Sequence, residues 1–333
     1  MTALKVLFIG GTGVISTAAA RRAVETGIDL TVLTRGHTTS RPLPDGVSRL
    51  TADINNRPAT LDALGDRVFD TVVDWVAFTP DHISRDIELF TSRTSQYVFI
   101  SSASAYQTPP TVLPIRESTP LHNPYWQYSR DKIACESALL DAYRDRGLPI
   151  TIVRPSHTYD ETLVPFDGGW TVVERMRQGK GVVVPGDGTS LWTLTHSSDF
   201  AVGFVGLLGR PEAIGHSFHI TADYAIPWNT IYLEVARAAG VEQPDLVHVP
   251  SDAINAVDQR WGVGMLGDKA HSMVFDNSKI KSLVPDFTAR TPFSVGAREI
   301  VAWHDADPAR KLLDTAMDLT MDKLVDAYRP RPL

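Results

Sequence analysis

Cysteine is almost absent from the sequence, which holds a single one, Cys135, among 333 residues. One cysteine cannot form an internal disulfide, and it cannot supply the several thiolates of a structural zinc site. The histidines show no metal-ligand spacing either. His216 and His219 lie three residues apart on a predicted strand, so they point to opposite faces. The sequence therefore predicts no disulfide framework and no metal site.

Long hydrophobic runs and an excess of basic residues are also missing. No apolar stretch approaches the roughly 20 residues that a membrane-spanning helix needs. The apolar start at Lys5–Ile9 is too short for a secretory signal. The net charge is −7, whereas nucleic-acid binding is typical of basic domains. These features predict a cytoplasmic protein that binds neither a membrane nor nucleic acid.

Two motifs of other enzyme classes do not occur. There is no Gly-x-x-x-x-Gly-Lys-Ser/Thr loop, which argues against a nucleoside triphosphatase. There is no Gly-x-Ser-x-Gly turn, which argues against the nucleophile of an α/β-hydrolase.

What the first half does contain is a regular alternation of short β-branched runs and helix-length amphipathic segments. Runs such as Thr71-Val72-Val73 are continuously apolar, which is typical of strands covered by helices on both faces. The pattern predicts an α/β fold with a Rossmann-type, doubly wound parallel sheet. The predicted strands are 5–9, 30–33, 47–50, 70–76, 96–101 and 149–153, and the predicted helices are 14–25, 60–64, 81–90 and 125–146.

A glycine-rich loop, Gly10-Gly11-Thr12-Gly13, follows the first predicted strand and opens the first predicted helix. Gly10 can adopt a tight turn, and Gly13 lets backbone amides approach a pyrophosphate at the positive end of the helix. Ser16 stands where a third glycine often allows close helix packing, and serine is small enough for that role. A simple strand-to-helix turn is the alternative, but the position of the loop favours dinucleotide binding.

Beyond Arg154 glycine and proline interrupt the chain more often, and irregular segments mix with helices. Helices are predicted over 228–239 and 308–327, the second with Asp307 as its N-cap and Pro308 in its first turn. We therefore predict a dinucleotide-binding domain over residues 1–160, with returning segments at about 190–221. A smaller, mostly C-terminal substrate-binding region would comprise residues 161–189 and 222–333.

The end of the second strand bears on the choice between NAD and NADP. A carboxylate there would bind the ribose 2′-hydroxyl of NAD, whereas an arginine accommodates the 2′-phosphate of NADP. The segment Val32-Leu33-Thr34-Arg35-Gly36 offers Arg35 and no carboxylate, so the sequence favours NADP over NAD. Arg35 could instead stack on adenine or be a solvated loop cation. Asp53, after the third strand, is either a ligand of the adenine amino group or a turn residue.

Tyr128 and Lys132 lie four residues apart in a predicted helix and project from one face of it. A free tyrosine has a pKa near 10, and a neighbouring cation lowers that pKa towards neutral pH. The pair therefore suits proton exchange with a substrate oxygen while a nicotinamide exchanges a hydride at the same carbon. Ser101-Ser102-Ala103-Ser104 ends a central strand earlier in the chain, which brings hydroxyl groups to the same edge of the sheet.

Together these features resemble the extended short-chain dehydrogenase/reductase family of NAD-dependent epimerases and dehydratases, which includes nucleotide-sugar epimerases. The resemblance also rests on Arg154-Pro155, Pro185-Gly186-Asp187-Gly188, His196-Ser197-Ser198-Asp199 and Phe275-Asp276-Asn277-Ser278-Lys279. It implies that Ser102, Tyr128 and Lys132 are catalytic. It also implies that a dinucleotide contacts Gly10, Thr12, Gly13, Val14, Ile15, Arg35, Asp53, Ile54, Ala77, Lys132 and Pro155.

Three departures from the family pattern bear on the substrate. Ala103 and Ser104 replace the Asp-Glu pair of the dehydratases, which argues against elimination of water. Trp192 stands where the family has an arginine that grips a nucleotide diphosphate, and His157 stands where it has an asparagine. A nucleotide-linked substrate is therefore disfavoured, although His157 could also be an ordinary hydrogen-bonded histidine. The predicted substrate-binding residues are Ser102, Ser104, Tyr128, His157 and Trp192.

Three functions stay open on the sequence. The first is an NAD(P)-dependent epimerase that acts on a sugar or sugar-like hydroxylated substrate through a transient ketone. The second is an NADPH-dependent ketone or aldehyde reductase, or an alcohol dehydrogenase, which Arg35 and the missing diphosphate arginine favour. The third is a non-catalytic dinucleotide sensor or an RNA-binding protein similar to the chloroplast stem-loop binding proteins, which the negative charge disfavours. The resemblance also implies a homodimer that uses the helix of Tyr128.

Overall fold

The computed structural model describes residues 3–36 and 41–330. Within these residues the strands are β1 (Lys5–Ile9), β2 (Asp29–Thr34), β3 (Ser48–Thr51), β4 (Thr71–Asp74), β5 (Tyr97–Ile100), β6 (Ile150–Pro155), β7 (His157–Tyr159), β8 (Val182–Pro185), β9 (Leu191–Trp192), β10 (Leu194–His196), β11 (His216–Ile220), β12 (Ile226–Pro227) and β13 (Leu246–Val249).

The helices follow the strands through most of the chain. They are α1 (Val14–Glu25), α2 (Arg57–Leu64), α3 (Pro80–Phe90), α4 (Gln127–Arg146), α5 (Trp170–Arg177), α6 (Ser197–Val205), α7 (Trp228–Ala238), α8 (Ser251–Val257), α9 (Gln259–Gly264), α10 (Ser278–Leu283), α11 (Phe293–Asp305) and α12 (Thr315–Tyr328). Short 3₁₀ turns lie at Ala103–Ala105, Pro211–Ala213 and Pro308–Arg310, and a π-helical turn lies at Met265–Lys269. None of the described helices is both long and apolar enough to cross a membrane.

Seven parallel strands form the central sheet, in the order β11-β6-β5-β4-β1-β2-β3. Strands β4 and β5 are buried along their whole length, as their continuous apolar runs predict. The chain connections run outward in opposite directions from β1 and β4, so a crevice opens at the carboxyl ends of these two strands. The predicted doubly wound parallel sheet is confirmed, and this crevice is where its ligands are expected.

Helices cover both faces of the sheet. On one face α1 packs against α6, and small residues of α1 such as Ala19 and Ala23 lie in one core with Phe200 and Phe204. On the other face α3 packs against α4, and Cys135 and Leu139 of α4 are fully buried there. The helix that carries Tyr128 is therefore fixed to the sheet by a continuous apolar contact.

A separate hydrophobic core lies beyond the sheet, built mainly from the second half of the chain. Its small sheets pair β8 with β13, β7 with β10 and β9 with β12. Aromatic rings stack within it, with Trp192 on Trp228 at 5.7 Å and Phe166 on Tyr232 at 4.2 Å between ring centroids. This second core has enough apolar contact to hold the irregular segments against the edge of the sheet. The residue boundaries of the two predicted domains stay a prediction.

The helix predicted over 308–327 is wrong in its first part. Asp307 does act as a cap, since its carboxylate accepts a hydrogen bond from the Ala309 amide at 2.9 Å, but the turn it caps ends at Arg310. The helix begins again only at Thr315, where Asp314 accepts from the Met317 amide at 2.9 Å. Two capping aspartates in one segment explain the break, because each starts a turn of its own.

Candidate active site

The loop between β1 and α1 lies in the crevice and has the backbone that its glycines predict. Gly10 has a φ of +80°, and a Cβ at this position would lie 2.9 Å from Val76 Cγ1. Gly13 is the N-cap of α1, and its amide donates to Ser16 Oγ at 2.9 Å. Leaving aside Thr12, Val14 and the helix's own backbone, Ser16 Oγ at 3.3 Å is the one described atom within 4 Å of a Cβ built on Gly13. The loop thus keeps a space that any side chain would fill, beside helix amides that lack carbonyl partners.

A groove of about 380 Å³ extends from this loop along the carboxyl ends of β1, β2 and β3. It brings together Gly10, Thr12, Arg35, Asp53 and Ile54, all predicted from the sequence as cofactor contacts. Three other predicted contacts, Gly13, Val14 and Ile15, cap α1 and form its first turn. The groove and the glycine loop therefore lie where a doubly wound sheet binds a dinucleotide, at the carboxyl ends of the strands beside the first turn of a helix.

Arg35 and Asp53 both line the part of the groove at the carboxyl ends of β2 and β3. Arg35 is exposed and follows β2 directly. The last residues of that strand, 32–34, contain no carboxylate. Asp53 is a turn residue, since its Oδ1 accepts from the Asn55 amide at 3.0 Å, and it also lines the groove. The turn therefore fixes the carboxylate at the groove. Its contact with an adenine amino group stays a prediction.

Arg85 also lines the groove and was not anticipated from the sequence. Its guanidinium contacts Asp74 at 3.1 Å and Asp86 at 2.7 Å, and it donates to Asn55 Oδ1 at 2.6 Å. Burial, and next the adjacent Asp74, raise the pKa of Asp86 well above its ordinary value, while Arg85 acts in the opposite direction. No local motif marks Arg85, because two of its three partners, Asp74 and Asn55, come from β4 and from the segment before α2.

Lys132 is buried where β4 and β5 end. Its Nζ atom donates to the carbonyl oxygens of Ala77 and Ile100, both at 2.7 Å, and lies 4.6 Å from the centroid of the Phe78 ring. Burial lowers the pKa of Lys132 to about 8. The predicted cofactor contact Ala77 therefore acts here through its carbonyl, which holds the lysine at the crevice.

Tyr128 lies beside the lysine, with its ring centroid 5.8 Å from Lys132 Nζ. The sequence predicted a phenol pKa lowered by this cation, and that prediction is wrong for this structure. Burial raises the pKa of Tyr128, whereas the Ser102 hydroxyl lowers it and Asp268 raises it further. Burial dominates because the lysine nitrogen is directed at backbone carbonyls rather than at the phenol oxygen.

The serine-rich end of β5 forms a chain of hydroxyl groups. Ser102 caps the 3₁₀ turn, and its Oγ lies 2.9 Å from Ser104 Oγ, which in turn accepts from Ser129 Oγ at 2.8 Å. Ser129 immediately follows Tyr128 and was not anticipated. Ser101 is not part of this chain of hydroxyl groups. Its Oγ atom donates at 2.5 Å to the buried Glu136, which pairs with Arg154. The hydroxyl chain therefore runs from α4 to Ser102, beside Tyr128.

A second cavity, of about 250 Å³, opens on these hydroxyl groups. Phe78 lies between the two spaces, because it lines the groove and its ring centroid is 6.5 Å from that of Tyr128. The cavity brings together all five predicted substrate-binding residues and Pro155. Its lining residues are Ser102, Ala103, Ser104, Trp126, Tyr128, Pro155, Ser156, His157, Trp192, Thr193, Asp268, Met273 and Phe275.

His157 and Trp192 contribute uncharged surface to this cavity. Burial first, and then the nearby Lys269, lower the pKa of His157 to about 3, so the imidazole is neutral at neutral pH. Neither ring nitrogen of His157 has a hydrogen-bond partner among residues 3–36 and 41–330. Trp192 is buried and stacks on Trp228. The histidine is thus available to a bound molecule, whereas the tryptophan forms a rigid apolar wall.

Asp268 is the charged residue among the described lining residues that the sequence does not predict. It lies in the π-helical turn and carries the one carboxylate among the described lining residues. Burial raises its pKa to about 7, with Lys269 acting in the opposite direction. Nothing in its neighbourhood in the sequence distinguishes Asp268 from a solvated turn residue, and it reaches the cavity only through the packing of the second core.

Comparisons with known proteins agree with this geometry. The chain is 26% identical over 258 residues to the chloroplast stem-loop binding protein of 41 kDa b from Arabidopsis thaliana, covering 73% of this chain and 65% of that one. It is 28% identical over 168 residues to UDP-glucose 4-epimerase of Lactobacillus helveticus, covering 45% of this chain and 51% of that one. The chain thus spans between half and two thirds of the length of these relatives.

The fold is shared with the solved structure of epimerase Mth375 from Methanothermobacter thermautotrophicus. The TM-score is 0.75 at 15% sequence identity, over 93% of this chain and 94% of that one. The model of the NAD dependent epimerase/dehydratase family matches residues 6–221, which include the glycine loop, the serine turn and the Tyr128–Lys132 pair. The chain therefore belongs to the NAD dependent epimerase/dehydratase family.

Proposed function

We propose that this protein is an NAD(P)-dependent epimerase of a small hydroxylated substrate of the sugar or sugar-like kind. One observation carries the proposal, namely that the groove and the hydroxyl-lined cavity approach each other at two neighbouring rings. Phe78 lines the groove, Tyr128 lines the cavity together with Ser102, and the two ring centroids are 6.5 Å apart. Lys132 Nζ lies between them, 4.6 Å from the Phe78 ring centroid and 5.8 Å from that of Tyr128. A substrate carbon held at this point would face both a redox cofactor and a proton-exchanging phenol.

Each residue has a defined task in this scheme. As a phenolate, Tyr128 takes the proton of the reacting hydroxyl while the carbon becomes a ketone, and it returns that proton when the alcohol forms again. Because burial raises the pKa of this phenol in the unliganded protein, the scheme requires the positive charges of Lys132 and of a bound oxidised nicotinamide to favour the phenolate. Ser102 hydrogen-bonds to the same oxygen, oriented by Ser104 and Ser129. Lys132, fixed by two carbonyls, holds positive charge next to the phenol while it is protonated. A bound nicotinamide dinucleotide would supply the hydride acceptor and donor at that carbon.

Epimerisation follows if the ketone rotates within the site, so that the hydride returns to the opposite face of the same carbon. Elimination of water is not supported by the serine turn, since Ala103 and Ser104 are both buried and neither can exchange a proton as a carboxylate does. For the cofactor we propose NADP before NAD, because Arg35 lines the groove where β2 ends without an acidic residue.

A reductase or alcohol dehydrogenase is the second candidate, and the lining of the cavity favours it. Among the lining residues that the structure describes there is no lysine or arginine to tether a diphosphate while a ketone reorients. A ketone that leaves before it is reduced again would make the net reaction an oxidation. The homodimer and the cytoplasmic location stay predictions.

The test begins with freshly purified protein, denatured so that any bound dinucleotide is released and identified by mass spectrometry. Stoichiometric NADP or NAD that survives purification supports a cofactor recycled in place. The loaded protein is then incubated with free aldoses and alditols, and the stereochemistry of each carbon is followed by NMR. Inversion without net reduction of cofactor is the expected result, and it is lost in Tyr128→Phe.

Two outcomes would overturn the epimerase proposal. Net formation of NADPH or NADH with release of a ketone would identify the dehydrogenase. Salt-sensitive retention of RNA, together with no turnover that responds to Tyr128→Phe, would instead favour the RNA-binding alternative.

A further inference from the structure

The Asp268 carboxylate has no interaction partner within the part of the chain that the structure describes. It accepts no hydrogen bond from a donor within residues 3–36 and 41–330, and it forms no ion pair with them. The residue is half-buried and faces the cavity that Ser102 and Tyr128 line. A carboxylate partly removed from bulk water without a partner is unfavourable, so a half-buried one that opens on a cavity points to a ligand.

The position of Asp268 is held on both sides. The carbonyl of the preceding Gly267 accepts from Asn123 Nδ2 at 2.6 Å, and the carbonyl of the following Lys269 accepts from Trp228 Nε1 at 3.1 Å. A Cβ at Gly267 would lie 2.8 Å from the Cβ atom of Trp126, so only glycine permits this close approach. Asp268 is thus directed at the cavity by fixed backbone, as π-helical turns at functional sites often are.

The remaining polar groups of the cavity are uncharged. Ser102, Ser156 and Thr193 contribute hydroxyl groups, and His157 contributes a neutral imidazole. The nearest cation, Lys269, is not among the described lining residues, and its Nζ atom pairs with Asp167 at 3.7 Å. The cavity therefore has hydrogen-bonding groups for hydroxyls, one carboxylate and no positive charge for a phosphate.

Given the proposed function, on which this step rests, we propose that Asp268 determines the substrate class by accepting hydrogen bonds from neighbouring hydroxyl groups of an uncharged polyol. A carboxylate accepts through two oxygens, so two adjacent hydroxyls can donate to it together. The same carboxylate repels a phosphate or diphosphate at close range in a weakly solvated site. At about 250 Å³ the cavity is also smaller than the pockets that enclose drug-sized ligands, roughly 300 Å³ and more.

The burial of Asp268 makes hydroxyl donors especially effective. Burial raises its pKa to about 7, so at neutral pH the carboxyl is partly protonated, and two hydrogen bonds donated by a ligand would favour the carboxylate form. A neutral polyol replaces its hydrogen bonds to water with bonds to the carboxylate and meets no charge repulsion, whereas an anionic substrate is repelled. A site that is built to accept from a hydroxyl also rejects the analogue that lacks it, because the carboxylate is then left unpaired.

The test measures binding without turnover, in protein that carries Tyr128→Phe and is saturated with NADP or NAD. The probes are free aldoses and alditols, their deoxy analogues, their monophosphates, and UDP-glucose, with dissociation constants from calorimetry and ligand-observed NMR. Asp268→Asn removes the charge at nearly constant shape. The matched control is Asp286→Asn, which makes the same change at an exposed position away from both cavities.

We expect at least one free sugar or alditol to bind about tenfold more tightly than its phosphate. Asp268→Asn should raise the dissociation constant of that neutral probe about tenfold. It should also reduce or reverse the difference in affinity between the neutral probe and its phosphate. Asp286→Asn should change neither quantity. If Asp268→Asn does not fold, Asp268→Ser, which keeps a small polar side chain, is measured in its place. Deoxy analogues should lose the sensitivity to Asp268 when the removed hydroxyl is its partner.

Unchanged sugar binding in Asp268→Asn would overturn this assignment, as would tighter binding of UDP-glucose than of every free polyol. Absence of binding by any neutral probe would overturn it as well. Failure of the proposed function looks different, since a polyol would then bind in an Asp268-dependent way to the Tyr128-containing protein without any inversion or redox change.

Discussion

Asn123 and Gly267 are joined by a hydrogen bond that spans 144 residues of chain, from Asn123 Nδ2 to the Gly267 carbonyl at 2.6 Å. The same Nδ2 atom donates to the Ser104 carbonyl at 2.9 Å, and the Oδ1 atom accepts from the Trp126 amide at 3.0 Å. One buried amide thus connects the serine turn, the start of the Tyr128 helix and the turn of Asp268. The candidate site is held as a unit through this side chain.

Asn123→Ala should therefore destabilise the protein and loosen the site together. Several buried carbonyl and amide groups would lose their partners, so we expect a loss of about 2 to 4 kcal/mol in the free energy of unfolding. Denaturant titration measures this, and Gln178→Ala is the control, since the exposed Gln178 side-chain amide donates to Glu174 and has no other partner in the part of the chain that the structure describes. A loss no larger than that of the control would contradict the role assigned to Asn123.

Gly13→Ala should weaken dinucleotide binding without unfolding the chain. The φ of Gly13 is −85°, which any residue adopts, so the free energy of unfolding should change by less than about 1 kcal/mol. The added methyl group would instead occupy the space beside the first turn of α1. We expect the dissociation constant for NADP or NAD, measured by calorimetry, to rise about tenfold or more. Unchanged affinity would show that the pyrophosphate lies elsewhere.

Arg35→Ala should reduce the affinity for NADP and leave that for NAD nearly unchanged. An exposed arginine that contacts a phosphate contributes roughly 1 to 2 kcal/mol, which corresponds to a change of about tenfold in the ratio of the two dissociation constants. Arg49→Ala is the matched control, because Arg49 is exposed on β3 outside the groove. Equal losses for both dinucleotides would mean that Arg35 stacks on the adenine, which they share.

Asp268 should also make stability depend on pH. Its pKa rises from 3.8 in the unfolded chain to about 7, so between these values the folded protein holds a proton that the unfolded chain has lost. The contribution of Asp268 to stability is therefore present at low pH and is lost as pH rises through about 7. The lowered pKa of His157 acts in the opposite direction at acidic pH, so single curves are not informative.

The measurement is the difference in unfolding free energy between Asp268→Asn and the wild type at each pH. This difference should increase in favour of the variant from pH 4 to pH 7, by an amount on the order of 2 kcal/mol. Lys269 and Asp167, the charges nearest to Asp268, are unchanged in the comparison. Asp286→Asn should give a flat difference, and a flat difference for Asp268→Asn would refute the raised pKa.

Much of the sheet is readable from the sequence because its strands satisfy local rules. The bounds of β1 and α1 agree with prediction, since an apolar run, three glycines and an amphipathic helix follow one another without ambiguity. The C-terminal helix was misjudged because Asp314 gives a second start signal that was not weighed against Asp307. Capping rules state where a helix can begin, but not which of two adjacent starts prevails.

The residues of the candidate site likewise fall into two groups, those that the sequence predicts and those that it does not. Ser102, Tyr128 and Lys132 lie in segments whose order along a parallel sheet brings them to one edge, so a pattern in the sequence places them together. Asp268 and Arg85 reach the site through packing between distant segments, and no spacing encodes that approach. The pKa of Tyr128 was also misjudged, because burial and the direction of Lys132 Nζ depend on the finished fold.

The burial of Cys135 has a practical consequence. The thiol lies three residues after Lys132, is fully buried, and has its pKa raised to about 12 by burial. A thiolate is the reactive form, so the native protein should resist alkylating reagents and need no reductant in storage. Labelling would occur only when α4 separates from the sheet. The rate of labelling of Cys135 therefore reports how often the helix that carries Tyr128 separates from the sheet.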